Sequence, residues 1–193
     1  MEIVNIDGNH VDGAALTVGK CKLTFKGIGN KLIFGNKVRL SGVEIVFRGS
    51  NAIIEFGDFT RVTGAFLVES ECEIRVGART KFNKACRLHA SEKTNIIIGE
   101  KCLFANVKFK TSDSFALIDL NTGVRVNMAS SIVVGDCVWI SENTSVDKGA
   151  SVGSGSIIGA GSVVIDDIPE NCLAVGIPAR VARTNVTWNE KLI

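Results

Sequence analysis

Residues Val134 to Val164 read VGDCVWISENTSVDKGASVGSGSIIGAGSVV. A β-branched aliphatic residue returns every sixth position, at Val134, Ile140, Val146, Val152, Ile158 and Val164. Six is not a multiple of the helical period, so a helix would scatter these side chains around its axis. Six is a multiple of two, so strands keep them all on one face. The residue two before each is also apolar or small: Ile132, Val138, Thr144, Ala150, Ser156 and Ser162. Between them stand Gly, Asp, Asn, Ser and Lys. The stretch predicts short strands joined by turns, with one face always inward.

The rule extends toward the amino terminus. An apolar residue followed by glycine recurs at Val18-Gly19, Phe34-Gly35, Phe56-Gly57, Val76-Gly77, Ile98-Gly99, Val134-Gly135 and Val152-Gly153. The intervals are 16, 22, 20, 22, 36 and 18, and 36 reads as two turns of 18. Three hexapeptides make one triangular coil, so the chain predicts an all-β solenoid of about eight stacked coils. Each coil bonds to its neighbours about 4.8 Å away. The stacked Val, Ile and Phe fill the prism, each burial contributing roughly 1.5–3 kcal/mol.

Proline would delete a ladder bond. The two prolines, Pro169 and Pro178, lie beyond the repeat. Residues 1–167 therefore form the solenoid, and 168–193 a C-terminal extension that caps its open end. Residues 112–131, SDSFALIDLNTGVRVNMASS, break phase around a turn signal at Asn121-Thr122-Gly123. They stand in the place of one coil as a loop, and a loop leaving a rigid scaffold is where chemistry usually sits.

Composition narrows the function classes. The chain has 193 residues, 46% apolar, enough for one domain with a full core. A formal charge of +2 with dispersed basic residues leaves no nucleic-acid footprint. The start, MEIVNIDGNH, lacks a secretory pattern. No run approaches the ~18 apolar residues of a membrane span. The expectation is a soluble cytoplasmic protein. None of the six cysteines forms a C-x-x-C pair, and two histidines make a zinc site improbable. Cys72, Cys86 and Cys102 fall at small inward positions, as reduced core thiols.

The ordered motifs resemble those of the hexapeptide-repeat acyltransferases, and most of all bacterial sugar and polysaccharide O-acetyltransferases. The family's S-D-x-H, I-x-D, T-G, R-x-N series is similar to Ser112, Asp113, Ile118, Asp119, Thr122, Gly123, Arg125 and Asn127. Its I-G-D-x-V-W segment matches Val134 to Trp139, its I-G-A-G-S-V-V segment stands unchanged at Ile158 to Val164, and its G-x-P-A-[K/R] tail is Gly176 to Arg180. The resemblance implies a left-handed parallel β-helix, a homotrimer with active sites between neighbouring prisms, and acetyl-CoA as co-substrate for a sugar or polysaccharide acceptor. No metal is implied.

The departures bear on mechanism. The family's catalytic histidine falls on Phe115, a second histidine on Cys137, and a lysine that helps hold coenzyme A on Asp166. Acetyl transfer to a hydroxyl needs a base, worth about 10²–10⁴-fold, which phenylalanine cannot supply. Asp113 and Cys137 are the substitutes at the site, against plainer roles as a turn cap and a variable position. His89 and His10 read as surface residues. The resemblance places the acceptor on Trp139, with Arg125 and Asn127 beside it. It places the pantetheine arm along Ala160 and Gly161 against Pro178, and a phosphate on Arg180 or Arg183, with Lys148 matching a frequent family lysine. Packing between protomers or a solvated surface is the alternative for the aromatic and cationic residues. The reading is an acetyl-CoA-dependent O-acetyltransferase impaired at Phe115, against a non-catalytic trimeric β-helix scaffold. A γ-type carbonic anhydrase needs three histidines, and an ice-binding helix needs rows of outward threonine; neither is present.

Overall fold

The computed structural model describes residues 1–192. The described residues are all-β: 21 of the 22 strands wind as a parallel solenoid with a triangular section, and the last turns back on its neighbour. Face one starts with Glu2–Val4 and Lys22–Phe25 and ends with Ser145–Asp147 and Val163–Val164. Face two runs from His10–Asp12 through Asn95–Ile98 to Ser151–Val152 as a seven-stranded sheet. Face three runs from Ala15–Val18 through Lys81–Asn83, Leu103–Ala105 and Trp139–Ile140 to Cys172–Gly176. Faces three and one join into one 15-stranded sheet. The join is made by the strands Val38–Phe47 and Arg61–Val68, each of which turns the corner without a break. Gly64 makes this bend possible, because its φ is +121° and a Cβ there would lie 2.0 Å from the Cys86 carbonyl oxygen.

Every member of the sixfold spine from Val134 to Val164 is buried, and so are its smaller companions. The buried hydroxyls are satisfied by backbone groups: Ser156 Oγ donates to the Pro169 carbonyl of the next coil at 2.7 Å, and Ser162 Oγ donates to the Gly159 carbonyl of its own coil at 2.7 Å while accepting from the Gly176 amide of the next at 3.1 Å. In the lower coils phenylalanine fills the prism. The rings of Phe56, Phe66, Phe82, Phe104 and Phe109 follow one another at centroid distances of 5.2–5.4 Å. Of the ten phenylalanines only Phe59 and Phe115 face outward. Cys72, Cys86 and Cys102 lie in this core, where burial pushes the Cys86 thiol up to about 11 and the Cys102 thiol to about 12.

Two features differ from the sequence-based count. Ile98 pairs directly with Val134, so the 36-residue interval is one coil with a loop inserted, where the spacing suggested two coils. The solenoid has seven full turns and begins an eighth. The ladder also continues past Asp167: Ile168 bridges Val152, and Leu173 and Ala174 pair with Ile157 and Ile158. Only then does the chain reverse. Cys172–Gly176 and Ala179–Thr184 form an antiparallel hairpin, and buried Ala179 closes the open end. The last described residues run back down the edge between faces two and three. There Val186 N–H donates to Asn171, Trp188 Nε1 to the Cys137 carbonyl at 2.6 Å, and Lys81 Nζ to Glu190 at 2.7 Å.

Candidate active site

The inserted loop leaves face one after Lys108–Lys110 and returns at Ile132–Val134 of face two, so it stands on the edge between them. Its arms form a narrow antiparallel ribbon: Val126 N–H donates to Leu117, Asp119 N–H to Val124, and Ile118 bridges Arg125. Asp119 Oδ1 accepts from the amides of Asn121 and Thr122 and closes the tip.

Asn127 is the keystone. It is only 7% exposed, and its carboxamide joins both arms. Nδ2 donates to Asp113 Oδ2 at 2.9 Å and to the Phe115 carbonyl at 2.7 Å, while Oδ1 accepts from the Leu117 amide at 2.6 Å. Two ion pairs tie the ribbon to the prism. Lys148 Nζ meets Asp113 Oδ2 at 2.5 Å, and Arg125 grips Glu92 with two nitrogens at 2.5 and 3.0 Å. Ser112 Oγ also donates to Glu92. The Arg125 guanidinium, then the Ser112 hydroxyl, hold the Glu92 carboxyl down at about 2. The Lys148 ammonium, then the Asn127 amide, lower that of Asp113. A carboxylate held ionised in this way is a weaker proton acceptor, so Asp113 orients the loop better than it abstracts a proton.

Phe115 projects from this frame, 83% exposed, with its backbone fixed by Asn127 and its ring touching no core. Five expected residues therefore gather at one edge: Asp113, Phe115, Arg125, Asn127 and Lys148. Lys148 was expected at the donor, but it sits here and its ammonium is engaged by Asp113.

Trp139 and Cys137 are elsewhere. Cys137 takes the corner between faces two and three with φ +55°, and Trp139 begins the face-three strand, 37% exposed. The whole of face two separates them from the loop. Trp188 packs beside Trp139 with ring centroids 6.1 Å apart, tilted by 49°. Sequence reasoning missed Trp188 and Glu92. The second was legible, since Arg125 needed a carboxylate; the first depends on the tail's return, which has no local signature.

The residues expected to meet the donor lie at the third edge. Ala160 and Gly161 turn the corner from face three to face one; Gly161 has φ +71° and open space where a Cβ would stand. Pro178 is in the turn of the closing hairpin, and Arg180 and Arg183 are on its second strand. Asp166 Oδ2 accepts from Arg180 at 2.8 Å, so this arginine's charge is largely offset. Arg183 is exposed and makes no ion pair among the described residues. His89 accompanies Glu69 on face one at 3.1 Å, one rung below Lys110, and His10 is exposed on face two. Among the described residues no group of three His, Cys, Asp or Glu is placed to hold a metal, and no helix is long and apolar enough to cross a membrane.

A triangular parallel solenoid with an ordered loop on one edge and a glycine corner under a closing hairpin on another is the architecture of a β-helix acyltransferase, and comparison with known proteins agrees. No family model matches the chain. A polysialic acid O-acetyltransferase of Escherichia coli O1:K1 / APEC is 35% identical over 130 residues, 67% of this chain and 42% of that relative, so the chain spans less than half its length. The crystal structure of the polySia specific acetyltransferase NeuO superposes with a TM-score of 0.91 at 31% identity, over 98% of this chain and 87% of that one. A hexapeptide-repeat acetyltransferase from Vibrio cholerae O1 biovar eltor, complexed with acetyl coenzyme A, superposes at TM-score 0.55 with 29% identity, over 67% of this chain and 69% of that one. The chain belongs to the hexapeptide-repeat, left-handed β-helix acetyltransferases.

Proposed function

We propose that the protein transfers the acetyl group of acetyl-CoA to a hydroxyl of a polysaccharide, slowly, because position 115 holds no base. The observation that carries this reading is the intact frame around that position. Asn127, Asp113, Lys148, Arg125 and Glu92 fix the loop with seven side-chain contacts of 2.5–3.0 Å or shorter. A scaffold with no chemistry would not need residue 115 held so closely while its side chain is left free. The acceptor follows from the relatives named for polysialic acid, a polymer with a carboxylate on every sugar, and the donor from the relative solved with acetyl coenzyme A.

In this reading Ala160, Gly161 and Pro178 bed the pantetheine arm, Arg183 meets a phosphate, and Trp139 stacks on a sugar ring. Placement of thioester and hydroxyl supplies most of the rate. Since face two separates the loop from Trp139 within one prism, a complete site needs the loop of a neighbouring copy, which supports a homotrimer. The exposed Phe115, Leu117, Leu120, Val124, Val126 and Met128 give that loop an apolar surface suited to burial against it.

The test is free-CoA release from acetyl-CoA with polysialic acid as acceptor, with mass measured by light scattering. Slow acceptor-dependent release from a trimer is expected. CoA binding without release from any acidic or neutral polysaccharide would favour a scaffold, the reading supported by Phe115 and the Asp166–Arg180 pair.

A further inference from the structure

The edge between faces two and three carries a cluster of cations, five of which, Lys37, Arg39, Arg61, Arg79 and Lys101, have no carboxylate within salt-bridge distance among the described residues. Two columns run along it. Arg39, Arg61, Lys81, Leu103 and Trp139 are in register on successive rungs of face three. Beside them Lys37, Phe59, Arg79, Lys101 and Cys137 occupy the same left-handed corner position, with φ from +55° to +61°. Six cations thus precede Trp139 over about 19 Å, taking four rungs of about 4.8 Å. Of these six cations only Lys81 has a carboxylate within salt-bridge distance among the described residues. Lys37 and Arg79 instead flank the exposed Phe59 ring, at 5.5 and 5.6 Å from its centroid. The corner acids nearby are Asp58, Glu100 and Asp136; Asp58 accepts from the Asn36 amide and Asp136 from that of Glu100, which ties both to the coil below.

A groove of about 550 Å³ covers the middle of these columns, from Phe59 and Arg61 to Cys137, with Lys37 and Arg39 outside it at one end and Trp139 at the other. Its floor is Phe59, Arg61, Arg79, Lys81 and Lys101, and its outer wall is the returning tail with Trp188. The tail shows what the floor accepts. It is an extended chain running parallel to the prism axis, and it places one carboxylate, Glu190, on Lys81 at 2.7 and 2.8 Å.

We propose that this cationic columned edge is the track for an acidic polysaccharide, which lies along the prism axis with its carboxylates over Arg39, Arg61 and their neighbours and delivers one sugar to Trp139 and Trp188. The proposal rests on reading the acceptor as a polysaccharide. What points to a polyanion is the alignment: the six cations stack on adjacent rungs, two of them beside the Phe59 ring, and the columns end at the aromatic pair. Aromatic faces take sugar rings, spaced cations take carboxylates, and the attraction is salt-dependent.

The test uses the full chain without acetyl-CoA, so it does not depend on turnover. Polysialic acid, dextran and single-stranded DNA are titrated by calorimetry into wild type and into Arg39→Gln/Arg61→Gln. Both arginines are exposed and unpaired, so this variant keeps the fold; Lys37→Gln/Lys101→Gln serves as the second. Wild type is expected to bind polysialic acid, more weakly as salt rises from about 50 to about 200 mM. Each double variant is expected to lose about tenfold in affinity with a shallower salt slope. Equal affinity of wild type and both variants, equal binding of dextran, or DNA bound as tightly as polysialic acid would overturn the track. Polymer binding that depends on these residues without acetyl transfer would leave the track and remove the transfer reading. Transfer with an unchanged KM for polymer in both variants would do the reverse.

Discussion

Asn127→Ala tests the loop most sharply. The substitution deletes a donor to the Asp113 carboxylate, a donor to the Phe115 carbonyl and the acceptor of the Leu117 amide, at 2.9, 2.7 and 2.6 Å. It also deletes the acceptor of Arg125 Nε at 3.2 Å. Neutral bonds contribute about 1 kcal/mol each and charged ones about 1.5–3. Water replaces part of this once the carboxamide is removed, and neighbouring bonds are not additive. A net local cost of about 2–3 kcal/mol remains, equivalent to ~30–150-fold more frequent opening of the ribbon. Hydrogen exchange reads it directly: the amides of Leu117, Asp119 and Val126 should lose protection by that factor, and those of Ile132 to Val134 should not change. Exchange at Leu117 within twofold of wild type would refute the assignment of Asn127 as the residue that joins the two arms.

Three further outcomes are expected. Glu92 is held down at about 2 in the folded chain against an ordinary 4.5, so its hold on Arg125 is complete above pH 4.5 and lost as pH falls toward 2; loop protection should fall over that window, and Glu92→Gln should weaken the dependence, leaving the share that the lowered Asp113 carboxyl contributes through Lys148. Phe104→Ala empties a fully buried site between Phe82 and Phe109, costs about 3–5 kcal/mol and lowers Tm by roughly 10 °C in circular dichroism. Asp166→Asn releases Arg180 and should lower the Kd for coenzyme A about threefold by calorimetry; an unchanged Kd would separate Arg180 from the donor.

The solenoid was legible because its information is local and repeated: a branched residue in every sixth position can face inward only on strands. The coil count was not, since a loop inserted between Lys110 and Ile132 brought one coil to 36 residues, numerically equal to two of 18. The loop edge was legible as motif residues, yet its electrostatics were not. Lys148 answers Asp113 across 35 positions, and nothing in the local sequence announces the pair. The cation columns carry a signal that alignment of the coils exposes. Lys37, Phe59, Arg79, Lys101 and Cys137 each stand two residues after the corner glycine, and Arg39, Arg61, Lys81, Leu103 and Trp139 four after it. Trp188 and Glu190 have no such periodicity, because the tail returns outside the repeat.

The central claim is that a complete frame surrounds a position that lacks only its base. Phe115→His tests it directly, in an initial-rate assay of CoA release with saturating acetyl-CoA and polysialic acid. The account predicts a rise in kcat of about 10²–10⁴-fold, with the pH profile of a single imidazole and little change in KM. A histidine there that leaves kcat unchanged, in a variant whose loop amides keep their protection, would contradict it.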